Sequence, residues 1–154
     1  MFRGDLEVDN RYDLYSAPVG ASGKQVRVST ADQASSAVVP EDYFVQFVPG
    51  TSRIVHWVDN AAGAHLYGTT MASARGSAQI SVGDPVLSPC SHFFPFPFPD
   101  FEVLADGSTV AYTVHTAGGM ALVAGPPDRP EGHVIVSGPM VEGGEVTGCR
   151  PITT

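Results

Sequence analysis

Charged side chains are scarce in this chain. They make up 16% of its 154 residues, against roughly 25% in ordinary globular proteins, so the surface is either weakly charged or covered by partners. Basic residues are fewer still. Eight of them (Arg3, Arg11, Lys24, Arg27, Arg53, Arg75, Arg129 and Arg150) are scattered against sixteen acidic residues, for a net charge of −8. That balance excludes nucleic acid and anionic membrane as expected partners. Cysteine is nearly missing: Cys90 and Cys149 are too few for a disulfide framework and read as free thiols, with a single bridge between them as the alternative. No apolar run reaches membrane-spanning length. Met1-Phe2-Arg3-Gly4-Asp5 opens with charge and leads to no apolar core, so no secretory signal peptide is expected. Helical periodicity is almost absent, and the one candidate helix, Thr30 to Val39, is two turns at most before Pro40 closes it.

What remains is a chain of short strands. The 17 glycines and 13 prolines punctuate it without reaching the proportion that signals disorder. Tyr43 to Val48 and Ser52 to Val58, joined by Pro49-Gly50, form the strongest predicted hairpin. His65 to Thr69, Ser77 to Val82, Phe101 to Leu104, Thr109 to Val114, Met120 to Ala124, His133 to Ser137 and Val141 to Thr147 follow at even spacing. Turns are expected at Asp59 to Gly63, Ala105-Asp106-Gly107 and Gly125-Pro126-Pro127. This pattern predicts an all-β fold, a sandwich or barrel of short antiparallel strands. Ahead of it, residues 1–24 read as an extended acidic N-terminal arm and linker, leaving 25–154 as the β-rich domain. In the arm, Asp5, Glu7 and Asp9 share one strand face, with Leu6 and Val8 on the other.

One stretch breaks the pattern. His92-Phe93-Phe94-Pro95-Phe96-Pro97-Phe98-Pro99-Asp100-Phe101 lies in and beside a Phe/Pro-rich loop spanning 88–100. Each Phe is worth roughly 1.5–3 kcal/mol when buried, while the prolines remove backbone donors and exclude a helix or a central strand. Several exposed phenylalanines would make a patch that soluble monomers rarely carry. Phe93, Phe94, Phe96, Phe98 and Phe101 are therefore candidate contacts to a partner or a second copy, unless the chain's own core takes them.

Motifs of catalysis are weak. Asp5-x-Glu7-x-Asp9 crowds three carboxylates as a calcium site would, but it lacks the glycine and closing glutamate of an EF-hand loop and reads as a solvated arm. Arg3-Gly4-Asp5 matches the integrin tripeptide by chance. Gly20-Ala21-Ser22-Gly23-Lys24-Gln25 has the wrong glycine spacing for a phosphate loop, and Gln25 stands where a magnesium-binding hydroxyl belongs. His56, His65, His92, His115 and His133 lack short metal-site spacings, although a cupin-like site could draw them from distant strands. No Gly-x-Ser-x-Gly elbow occurs. No catalytic residue, metal ligand or cofactor is assigned, and the chain is not expected to be an enzyme.

Residues 76–154 resemble a known family. Gly76-Ser77-Ala78-Gln79-Ile80-Ser81-Val82-Gly83-Asp84-Pro85-Val86-Leu87 is similar to the small-residue strand and Gly-Asp-x-Val element of the capsid decoration (cement) proteins of tailed bacteriophages. Gly132-His133-Val134-Ile135-Val136-Ser137-Gly138-Pro139, followed by Val141-Glu142-Gly143-Gly144-Glu145-Val146, resembles their closing hairpin. The resemblance implies a virion protein, made in the host cytoplasm, that binds the major capsid protein on the outer shell, often as a homotrimer, and stabilises it without catalysis. On that reading the Phe93–Phe101 stretch is an assembly contact and Asp5, Glu7 and Asp9 belong to a clasp. Two further readings are carried: a carbohydrate-binding or adhesin module with Tyr43, Trp57 and Tyr67 as stacking platforms, and a cupin-like metalloenzyme.

Overall fold

The computed structural model describes residues 1–4, 6, 13–20, 23–30, 45–60, 63–83, 101–117 and 119–137. Among these the chain is all-β, as its punctuation predicts, and every strand pairing is antiparallel. Three sheets form in chain order. β1 (Phe2–Gly4), β2 (Asp13–Ser16) and β3 (Val26–Arg27) make a small N-terminal sheet. β4 (Val45–Phe47), β5 (Arg53–Asn60), β6 (Gly63–Thr70) and β7 (Ser73–Gln79) make the first meander. β8 (Phe101–Val103), β9 (Val110–Thr116), β10 (Gly119–Gly125) and β11 (Val134–Ile135) make the second. The expected hairpin at Pro49-Gly50 is present, with Phe47 opposite Ile54 and Val45 opposite His56. The candidate helix lies almost wholly outside the described residues, as do 141–147.

The two meanders pack face to face as a sandwich around one core. Period-two alternation decides which side chains enter it. Val48, Val55, Trp57, Leu66 and Ile80 come from the first meander and its flanks. Phe101, Val103, Val110, Tyr112, Val114, Ala121 and Val123 come from the second. The sheets do not close into a barrel. Instead, one edge of the sandwich is clasped by a side chain: Gln46, opposite Val55 and so facing inward, donates from Nε2 to the Phe101 carbonyl at 2.8 Å. Its Oε1 accepts the Val103 N–H at 2.7 Å. The amide thus takes the place of a strand pairing between β4 and β8. At the same end the β8–β9 turn meets the β4–β5 turn. Gly107 has φ 68, and a Cβ there would stand 2.6 Å from the Pro49 carbonyl oxygen.

β5 is buried on its outer face as well, so residues 54–58 form a continuous buried run rather than an alternating one. Ile54, His56 and Val58 lie opposite Thr69, Tyr67 and His65 on this face. The N-terminal sheet docks beside it: the Thr69 hydroxyl donates to the Val28 carbonyl at 3.4 Å, and the Ser16 hydroxyl donates to the Met71 carbonyl. Within the segment read as an arm, β1 and β2 are strands paired with each other. β2, which falls within the segment read as arm, pairs with β3 of the domain. Buried Asp13 explains the pairing in part, since its Oδ1 accepts the Ser29 hydroxyl at 2.8 Å and Arg27 stands 3.9 Å from its Oδ2. A buried carboxylate needs such partners.

His56 is nearly fully buried, stacks on Tyr67 at 5.8 Å between ring centroids, and its Nε2 has no hydrogen-bond partner. Burial alone pushes its pKa from 6.5 down to about 4. The unfolded chain therefore takes up a proton below pH 6.5 that the folded chain refuses, and stability falls as the pH drops from about 6.5 towards 4. Between pH 7 and pH 4.5 this one group should cost about 2 kcal/mol. Urea unfolding at both pH values should show that His56→Leu loses less stability on acidification than wild type by about that amount; equal losses would place the pH dependence elsewhere. Gln46→Leu keeps the volume but strands the Phe101 carbonyl and Val103 N–H, and should lower unfolding stability by about 2 kcal/mol, read from the same denaturation curves.

Candidate functional site

The residues singled out from sequence do not converge. Phe93, Phe94, Phe96, Phe98, Asp5, Glu7, Asp9, Tyr43, His92, Cys90 and Cys149 lie outside the described residues. Phe101 is described, and the expectation that it forms an external contact is corrected: it starts β8 opposite Tyr112 and is buried in the core. A ring at an inward position of a sandwich strand is taken by the opposing sheet. The stacking reading of Trp57 and Tyr67 is corrected as well. Only 8% and 9% of their surfaces are exposed, and they point to opposite faces, since Trp57 pairs with Leu66 while Tyr67 pairs with His56. A sugar platform needs aromatic faces in solvent. Among the described residues, no three His, Cys, Asp or Glu side chains come together in a way that could hold a metal ion.

The structure instead draws attention to β11 and the loop that delivers it. The Gly125-Pro126-Pro127 break turns the chain out of β10, and the loop folds back against the end of the sandwich. Two glycines make room for it. A Cβ on Gly68 would lie 2.3 Å from the Pro127 carbonyl oxygen, and one on Gly125 would lie 2.4 Å from the His133 ring. Both distances are shorter than a carbon atom tolerates, so the close approach depends on glycine.

A chain of hydrogen bonds then fixes the loop. Tyr112 reaches from β9 through the core, and its hydroxyl accepts the Val82 N–H at 2.9 Å. Burial raises the phenol above its ordinary pKa, partly offset by that N–H, so the hydroxyl stays protonated and donates to His133 Nδ1 at 2.9 Å. His133 then carries its proton on Nε2, from which it reaches the Pro126 carbonyl at 2.9 Å and the Arg129 carbonyl at 3.0 Å. Every polar atom of the two side chains is used in holding the loop. Of the histidines considered as metal ligands, His133 is thus structural, and His56 is a buried, neutral ring.

Beyond this anchor the chain becomes β11. Val123 stands opposite Ile135 and Ala124 opposite Val134, while the Val136 N–H donates to the Leu122 carbonyl at 2.9 Å. No described strand pairs with its other side. Val134, Ile135 and Val136 are 57%, 59% and 50% exposed, three consecutive β-branched residues in solvent on a sheet edge. Edges of this kind are normally guarded by lysine, proline or a covering element. Sequence reading found the strand but not its exposure, which depends on β11 ending the sheet order. Its apolar run with no charge between His133 and Ser137 was the available signal.

Comparisons with protein families, with curated proteins and with solved structures return no match.

The Gly125–His133 contact generates a test. Gly125→Ala should push the imidazole away from Tyr112 and release β11, so that the Val136 amide exchanges with solvent at least tenfold faster while the β9–β10 amides keep their protection. Unchanged exchange at Val136 would mean the relay does not hold the edge.

Proposed function

We propose that this chain is a virion structural protein that binds the outer surface of a tailed-bacteriophage capsid and stabilises the shell, acting by binding and not by catalysis. The observation that carries the reading is the pairing of a firmly anchored sandwich with exposed apolar surface: Val134, Ile135 and Val136 on the β11 edge, and Phe47 at the β4–β5 end, each with half or more of its surface exposed. Such patches serve association between proteins. The low charge density supports the reading, because a weakly charged surface is inexpensive to desolvate over a broad contact. The resemblance of residues 76–154 to capsid decoration proteins supplies the partner, a major capsid protein, and the expected homotrimer.

On this reading Phe93, Phe94, Phe96 and Phe98 form the assembly contact and Asp5, Glu7 and Asp9 the clasp; Phe101 is withdrawn from that set because the core holds it. The polar groups of Gln46, Asp13, Tyr112 and His133 are engaged in holding the fold, which suits a protein whose task is to be rigid.

The experiment is co-sedimentation with capsid shells of the phage that encodes the chain. Wild type should pellet with the shells, and the double variant Phe96→Ser, Phe98→Ser should bind more than tenfold more weakly, since two phenylalanines contribute roughly 3–6 kcal/mol when buried. Failure of the wild-type protein to pellet would remove the decoration reading.

A further inference from the structure

We propose that β11 pairs antiparallel with β11 of a second copy across a two-fold axis at Ile135, joining two second-meander sheets into one continuous sheet. The backbone geometry leads there directly. The Val136 N–H bonds to Leu122, and Val134 lies opposite Ala124, so in an antiparallel ladder these residues spend their backbone groups on β10. Ile135, between them, turns its N–H and C=O outward. Those two groups are self-complementary: two Ile135 residues facing each other across a two-fold axis exchange both hydrogen bonds.

The same register matches the side chains. With Ile135 on the axis, Val134 of one copy stands opposite Val136 of the other, and the converse pair forms symmetrically. All three positions then meet as β-branched pairs, which antiparallel strands favour. The outward groups of Ile135 suit an extended strand as occupant, and the unbroken apolar run favours one that is equally apolar, which the 141–147 segment, with Glu142 and Glu145, is not. This chain carries such a strand, so an isologous contact forms from a single surface. Charge points the same way. Two copies bring together a net charge of −8 each, and residues 133–137 contain no acidic side chain to add to it at the contact. The inference goes beyond the decoration reading: a two-fold contact between two of the homotrimers expected there gives a hexamer, which the Ile135 variants return to trimers, and the contact forms with or without a shell.

Proline at position 135 isolates the contact. It removes the outward N–H while leaving every β10–β11 hydrogen bond in place, because Ile135 contributes none to that ladder. Native mass by light scattering over a concentration series should give an even multiple of the 16.1 kDa chain for wild type and half that mass for Ile135→Pro. Should Ile135→Pro lose the wild-type circular dichroism spectrum, Ile135→Lys replaces it; this variant keeps the N–H but sets two ammonium groups face to face, and the mass should again halve. A wild-type monomer, an odd multiple, or a mass unchanged in the folded variant overturns the proposal. These outcomes are read without shells, so they are independent of whether the protein binds a capsid.

Discussion

The hydroxyl of Tyr112 is the polar group on which the described structure most depends. It sits at the end of a ring buried between the two meanders, where an unpartnered phenol would be costly. Its two hydrogen bonds satisfy it and, at the same time, connect parts of the chain far apart in sequence. Accepting from Val82 ties it to the segment that follows β7 in the first meander. Donating to His133 ties it to the loop before β11 in the second. One side chain thereby links both layers at the side of the sandwich opposite the Gln46 clasp. The layers are bridged by different means at these two places, a primary amide between two strand backbones and a phenol whose hydroxyl is shared between Val82 and His133.

The fold also shows how a small chain with little charge spends its polar residues. Asp13 is buried and held by Ser29 and Arg27. His56 is buried and neutral against Tyr67. Both faces of β5 and most of β6 are buried, while Phe47 on β4 and Val134, Ile135 and Val136 on β11 keep half or more of their surface in solvent. Trp57 and Tyr67 are consumed in building the layers and offer no stacking platform.

Much of the fold was legible because it rests on local rules. Glycine, proline and aspartate at 49–50, 105–107 and 125–127 mark turns whatever surrounds them, and β-branched and aromatic runs between them read as strands. The central hairpin and the second meander follow from these signals alone. The site was less legible. Phe101 looked like the last ring of an exposed ridge, and only the pairing with Tyr112 shows that it points into the core. Trp57 and Tyr67 looked like platforms because sequence does not say that a strand is covered on both faces. His133 looked like one of several scattered histidines until the approach of Gly125 and Tyr112 gave its ring three partners.

The sequence by itself determined the all-β class, the sparse and net acidic charge, and the position of most described strands, because composition and period-two alternation act over a few residues. Tertiary structure decided which strand ends a sheet, which aromatic rings are spent in the core, and which apolar residues remain in solvent. Those outcomes depend on contacts between residues far apart in the chain, such as Gln46 with Phe101 and Val103, Tyr112 with Val82 and His133, and Gly68 with Pro127. No local pattern encodes such pairings, because the energy that selects them appears only when the two meanders meet.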